Sequence, residues 1–467
     1  MKLQALPRRV VRTIWRWGRM PYWTLLSLGL AKIRDKLATL RNPGKQSSPP
    51  VCYRPAPEEL LRSRQQLERI LAENLLPFWS SQVIDEEEGG YRLNHNLLGQ
   101  WQGPANKGLV SQARTVWFFS RLSRSPYGTH EHLALARHGY EFLRERLWDQ
   151  DFGGFYWETD SSGRTAVKPD KHLYGQAFGL YALAEYAAAS GDPSALTLAQ
   201  ELFRLVETYA YDSQYGGYQE FLRRDWGPMP HDSTSYMNTA ATLKLMNTHL
   251  HLLEAVTRFY LLTKDLLVKE RLQELIVVQS NAVVRKTLGG CTDKYQRNWT
   301  PLQGPGYERV RYGHDLENVW FLIEACEAVG LPNSLLLDLY RALFRYALRY
   351  GFDRRDGGFY YSGLFNAPAD QRYKSWWVQA EGLTSALYMY RLTAEELYWQ
   401  CFAKTLDWIV GYQADWQHGE WYMYISATGE PTGDKTGAWK SSYHNGRAML
   451  RCLELLSSLP ESPLPAR

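Results

Sequence analysis

Within Tyr312-Gly313-His314-Asp315-Leu316-Glu317-Asn318-Val319-Trp320, an imidazole, a carboxylate and an indole follow one another at three-residue intervals. On a helix that spacing keeps His314, Glu317 and Trp320 near one face. An imidazole oriented by a carboxylate beside an indole is suited to moving protons on a sugar. The competing reading is a helix that opens after Gly313, with His314 at its N-terminus and Glu317 as ordinary helix filler. A second aromatic-rich motif, Trp439-Lys440-Ser441-Ser442-Tyr443-His444-Asn445-Gly446-Arg447, supplies another histidine and favours chemistry.

Three further stretches carry chemically useful groups. In Met246-Asn247-Thr248-His249-Leu250-His251-Leu252-Leu253-Glu254-Ala255, helical spacing puts His251 on one face with Asn247 and Glu254. His249 and His251, two apart, diverge and do not chelate one metal together. His251 is assigned to the interior site and His249 to packing. Arg114, in Ser111-Gln112-Ala113-Arg114-Thr115-Val116-Trp117, heads an apolar helical run. Buried there, it needs an anionic or oxygen-rich partner, either a substrate or a structural carboxylate. Trp377 and Glu381, four apart, offer a stacking face and a hydroxyl acceptor, or else a core indole and a salt-bridged acid. His172 opens an Ala-rich helix, where capping weighs as much as a direct role. His95, His130, His132, His138, His231 and His418 lie among polar neighbours and are assigned to the surface or loops.

The sequence contains no glycine-rich phosphate loop, HExxH or GxSxG motif. No nucleotide, metal or organic cofactor is therefore expected. The five cysteines are scattered, without metal-like spacing, which points to free buried thiols in a reducing, cytoplasmic setting. Charge is unevenly spread. Residues 1–50 hold 11 Lys or Arg and one acid, Asp35, whereas the remainder holds 43 bases and 48 acids. The mildly acidic body argues against nucleic acid as a partner. A leucine stripe among basic residues makes 1–40 a candidate for weak membrane-surface contact, the alternative being a poorly ordered extension. Pro43–Pro50 reads as a linker. The expected domains are thus 1–50, a basic extension with linker, and 51–460, a single large domain.

A Gly-Gly turn followed in most copies by an aromatic recurs along that domain, with first glycines at 89, 153, 216, 289, 357 and, in a degenerate copy, 419. Each interval of 62 to 73 residues accommodates two ordinary helices plus loops. Leu173–Ala189 with Leu196–Ala210 is one such pair, and Leu272–Val284 and Leu335–Tyr350 are also helix-like. Short aromatic runs after the turns, such as 155–159 and 359–362, read as β-hairpins. Six helix pairs predict an all-α toroid, an (α/α)6 barrel, with short β-hairpins in the loops at one end. Nearly all-apolar inner helices would line its centre. An open solenoid is the structural alternative.

Together QARTVW (112–117), NTHLHLLEA (247–255), GHDLENVW (313–320), WWVQAE (376–381), HGEW (418–421) and WKSSYHNGR (439–447) resemble the N-acylglucosamine 2-epimerase family, most closely its cellobiose 2-epimerase branch. The resemblance covers about residues 60–455. It implies the same (α/α)6 barrel and cofactor-free C2 epimerisation of a mono- or disaccharide reducing end through a cis-enediolate. It further implies that His314 and His444 are the acid/base pair, and that His251 and Asn247 bind and polarise sugar oxygens. Arg114 would stabilise the enediolate, Glu317 and Glu381 would orient hydroxyls or imidazoles, and Trp377 and Trp439 would stack on the sugar. Glu254, beside His251, joins this binding set. Ser441-Ser442 departs from the family's usual Cys-Pro-like pair, and residues 222–246 do not match it. Aldose–ketose isomerisation, glycoside hydrolysis by Glu317 and Glu381, and non-catalytic sugar binding are the alternative functions.

Overall fold

The computed structural model describes residues 52–304 and 306–459. The basic extension, its linker and the membrane-surface reading lie outside them. Helix α1 (Pro57–Arg69) runs through a π turn into α2 (Leu76–Ser81). Five pairs follow: α3 (Leu109–Ser123) and α4 (His130–Phe142), α5 (Leu173–Ser190) and α6 (Pro193–Tyr209), α7 (Met246–Thr263) and α8 (Leu266–Val277), α9 (Tyr312–Val329) and α10 (Leu337–Tyr350), α11 (Trp376–Thr393) and α12 (Glu396–Trp408). Helix α13 (Tyr443–Ser458) ends the described chain.

The odd-numbered helices from α3 to α13 form an inner ring, each packed on the next, and α13 closes it against α3. Their sequences explain the placement. Helix α5 is buried at every position from Leu173 to Ala187, as an apolar helix without a polar stripe must be. The outer helices are one-sided: α10 buries Tyr340, Leu343, Phe344 and Ala347 and leaves its charges in solvent. The ring is closed, so the architecture is the toroid and not the solenoid.

All six turns stand at the N-terminal end of the inner helices. In four of them two successive glycines in left-handed conformation make the reversal, as at Gly153 (φ 68°) and Gly154 (φ 69°); in the fourth only Gly289 is left-handed, and in the sixth Glu420 (φ 60°) follows Gly419. In five of them an aspartate four residues before the first glycine caps backbone N–H groups of the turn and pairs with a lysine, buried in every case. The pairs are Asp85–Lys107 (2.7 Å), then Asp149–Lys171, Asp212–Lys244, Asp353–Lys374 and Asp415–Lys435, each 2.9 Å. Three residues into α3, α5 and α11, a glutamine clamps the residue after the glycines through both its N–H and its C=O: Gln112 on Tyr91, Gln176 on Phe155, Gln379 on Phe359. Each turn is thereby fixed to the foot of its inner helix.

The short strands are more than local hairpins. Glu158–Thr159 does pair with Ala166–Lys168. The recurrent pairing, however, joins the residues entering one inner helix to the residues after the next turn: Lys107–Gly108 with Glu158–Thr159, Lys171–His172 with Phe221–Leu222, and Arg309–Arg311 with Ser362–Leu364. These strands link neighbouring repeats around the rim. Of the five cysteines, four are buried and free as expected, but Cys52 is exposed. No helix among the described residues is long and apolar enough to cross a membrane.

Candidate active site

The sequence-predicted site residues converge at the N-terminal mouth of the inner ring. Arg114 sits on α3, Asn247, His251 and Glu254 on α7, His314 and Glu317 on α9, Trp377 and Glu381 on α11, and His444 on α13. Trp439 lies in the segment entering α13. Six helix N-termini directed at one volume favour a negative charge that develops there.

His444 is rigidly held. Its Nδ1 lies 2.6 Å from Glu381 Oε1, and Glu381 also accepts hydrogen bonds from Trp320 Nε1 (2.8 Å) and Arg447 (2.7 Å). With Nδ1 facing the carboxylate, Nε2 is the proton-accepting nitrogen. His251 is held in the same manner, Nδ1 to Glu254 Oε2 at 3.2 Å. His314 differs. The expectation that Glu317 orients it fails, because Glu317 turns to Arg447 instead, at 3.0 Å. The ring of Trp377 flanks His314, centroids 5.0 Å apart, and reaches His444 at 5.8 Å. That approach needs Gly313: a Cβ there would stand 2.3 Å from the Trp377 ring.

Burial drives the titration behaviour of the site. It pushes His314 and His444 well below the ordinary histidine range, helped by Arg311 at His314 and by Arg114 and Arg447 at His444. His251 is lowered to about 4, again chiefly by burial. All three imidazoles are therefore neutral bases at pH 7. Burial also raises Glu254, but Arg447 and His251 outweigh it and hold the acid down to about 2. Burial and the neighbouring Glu381 raise Glu317 well above the carboxylate range, so it keeps its proton.

Arg447 is the residue that sequence reasoning passed over. Its guanidinium, 1 % exposed, donates to Glu254, Glu317 and Glu381 and to the Tyr443 hydroxyl, and it stacks on Trp320, Phe321 and Tyr443. A single cation thus positions the carboxylates behind two of the histidines. Its sequence signal was present: Arg447 falls four after Tyr443, on one helical face, in a motif already singled out. Glu317, Glu381 and His444 bring possible ligand atoms within 4.8 Å of one another, but Arg447 already bonds both carboxylates. The same sharing counts against glycoside hydrolysis. Both acids are 1 % exposed and joined by one guanidinium, so they do not flank an accessible scissile bond.

Arg114 has no carboxylate partner among the described residues. It donates to the Trp439 carbonyl (2.9 Å) and the Tyr174 hydroxyl (3.0 Å), and its Nε makes no hydrogen bond. Its charge remains available to a substrate anion. Asn247 Oδ1 is likewise unpartnered. Trp439, 40 % exposed, stands at the mouth with its edge toward Trp157 and Tyr174.

The remaining histidines are structural. His249 Nε2 accepts from the Tyr218 N–H (3.0 Å), so it replaces the clamping glutamine of the third repeat. His172 caps α5 by accepting from Tyr174 N (3.2 Å). His95, expected at the surface or in a loop, lies in a loop but is buried at 1 % exposure, held by Thr436 (2.8 Å).

The family model described as N-acylglucosamine 2-epimerase matches residues 89–448. A cellobiose 2-epimerase of Bacteroides fragilis is 30% identical over 85% of this chain and 99% of its own length. A D-mannose isomerase of Marinomonas mediterranea is 24% identical over 83% of this chain and 95% of its own. The solved cellobiose 2-epimerase of Spirochaeta thermophila superposes with a TM-score of 0.77 at 32% identity, covering 86% of this chain and 98% of that one. With its closed ring of helix pairs and a match over most of its length, the chain is a carbohydrate epimerase belonging to the N-acylglucosamine 2-epimerase family.

Proposed function

We infer that the enzyme epimerises C2 at the reducing end of a mono- or disaccharide, with His314 and His444 as its two bases. The observation that carries this reading is the pair of buried, neutral imidazoles that both lie beside the Trp377 ring, together with an arginine whose charge no carboxylate among the described residues neutralises. In a ring of six inner helices, α9 and α13 stand two places apart, and α3 with Arg114 faces α9. The histidines flank one wall of the site, closer together than opposite walls would place them.

In the open-chain sugar, one imidazole takes the C2 proton. The electron pair left behind moves into the C1 carbonyl and gives a cis-enediolate. Arg114 and the helix N-termini stabilise its negative charge. Asn247 and His251 hold the carbonyl and adjacent hydroxyl oxygens, and Trp377 and Trp439 bound the ring. The second imidazole, protonated through solvent, returns a proton to the other face of C2. Delivery to C1 instead would give the ketose.

His314→Asn and His444→Asn each remove one base while keeping polarity and size. Turnover is expected to fall by roughly 10²–10⁴, the range for a general acid/base. The measurement is proton NMR of both epimers in D₂O, which also reads exchange at C2. Near-normal interconversion in either variant would overturn the two-base assignment. In wild type the acid limb of kcat/KM should lie below pH 6.5. Burial lowers both imidazoles, so the proton-accepting forms persist below the ordinary histidine value.

A further inference from the structure

A cavity of about 130 Å³ opens off His314, between the strand entering α9 and residues 291–294, beside the first residue of α7. It has room for a polar substituent of a sugar held at His314. Its charged lining is mainly cationic: Lys294, Arg309 and Arg311, with Asp293 as the one carboxylate among its lining residues. Arg309 is bound bidentately by Asp370 at 2.6 and 2.8 Å. Asp293 accepts from the Asn247 N–H through its carboxylate (3.2 Å) and from the Met246 N–H through its carbonyl (2.8 Å), so it is engaged in capping α7. Lys294 and Arg311 form no ion pair among the described residues. Counting Asp293 and Asp370 against the three cations leaves one positive charge. Thr292 is engaged with the Tyr295 hydroxyl (2.7 Å).

We propose that this cavity receives a carboxylate carried by the reacting sugar, so that the enzyme takes hexuronates as substrates. The proposal rests on the epimerase reading above and names its substrate class. A neutral hydroxymethyl group would leave the one excess positive charge beside His314 without a counter-charge. A carboxylate matches the single positive charge, and charge-assisted hydrogen bonds from an ammonium and a guanidinium reward it. A dianionic phosphate would overcompensate. C2 epimerisation of a hexuronate needs no further reactant: the proton lost from C2 is replaced by one from solvent, and the carboxylate is unchanged.

The test compares D-glucuronate with D-glucose on the full chain, by C2-deuterium exchange and, separately, by calorimetric binding. Wild type should bind glucuronate about tenfold or more tighter than glucose, in keeping with charge-assisted pairing, and added salt should narrow the gap. Lys294→Gln and Arg311→Gln should each reduce the glucuronate-to-glucose ratio in binding. Equal binding of the two sugars overturns the proposal, as does a ratio that neither variant changes. A preference for cellobiose that falls in both variants also overturns it, by assigning the cavity to a neutral glycosyl unit. Selective glucuronate binding without exchange would uphold the carboxylate site and refute the epimerase reading, which keeps the two failures distinct.

Discussion

Five of the six turns share the buried aspartate–lysine pair, and the fourth, which precedes the helix bearing His314, lacks it. Where the others carry aspartate, it has Arg285, and where they carry the buried lysine, it has Val310. In place of the clamping glutamine, Asp315 accepts from the Cys291 N–H at 2.8 Å. Burial raises Asp315 to about 8, so at neutral pH it is an uncharged acid that does part of an amide's work. The charge pair has been removed from beneath α9. The local cations stand instead on the mouth side, around the cavity beside His314. A repeat can therefore give up its ion pair when both partners are replaced together, here by Arg285 and Val310.

That contrast predicts a graded set of stabilities. The largest effect is expected for Asp149→Asn, which leaves the Lys171 ammonium, 1 % exposed, without its counter-ion. Losing one partner of a buried pair costs about 3–5 kcal/mol. A fall in the urea midpoint at unchanged slope would measure it, and a shift under 1 kcal/mol would erase the distinction between the turns. Gln176→Met comes next. It strands the N–H and C=O of Phe155, at about 1–3 kcal/mol for each buried group left unpaired, and the same urea titration reads it.

Asp315→Asn should be the smallest, within about 0.5 kcal/mol near pH 4, because an amide replaces a protonated carboxyl. Its pH dependence sharpens the point. The folded state keeps the Asp315 proton up to about pH 8, while the unfolded chain loses it near the ordinary aspartate value. This contribution to stability is complete below the unfolded pKa and declines as pH rises toward 8. Urea midpoints taken from pH 4 to 9 should show the wild type losing ground steadily to the variant. Parallel curves would mean that Asp315 is ionised in the fold.

The toroid was legible because six glycine pairs mark the repeat, and the alternation of all-apolar and one-sided helices follows from hydrophobic periodicity. The aspartates four residues before the glycines were equally visible, but their lysine partners lie 20 to 32 residues away. Pairing at that range depends on the loop path, which local spacing does not encode. Among the site residues, His251 and Glu254 were paired correctly because i,i+3 geometry is local. Glu317 was misdirected because its true partner, Arg447, arrives from a helix 130 residues later. The burial of His95 in its loop was missed for a related reason: polar neighbours say nothing about a contact that forms only when the ring closes on Thr436.

The third repeat holds the longest of those aspartate-to-lysine spans, 32 residues. The extra chain enters after the turn is set and before α7 begins, so the ring stays in register. Residues from this span fold back over the rim, where Tyr236 bonds Asp170 (3.1 Å) and packs on Trp157, the neighbour of Trp439 at the mouth. The histidines proposed as bases ride on inner helices, and the added sequence of the third repeat lies at the entrance. A change in that segment would therefore alter what reaches the mouth without moving the inner helices.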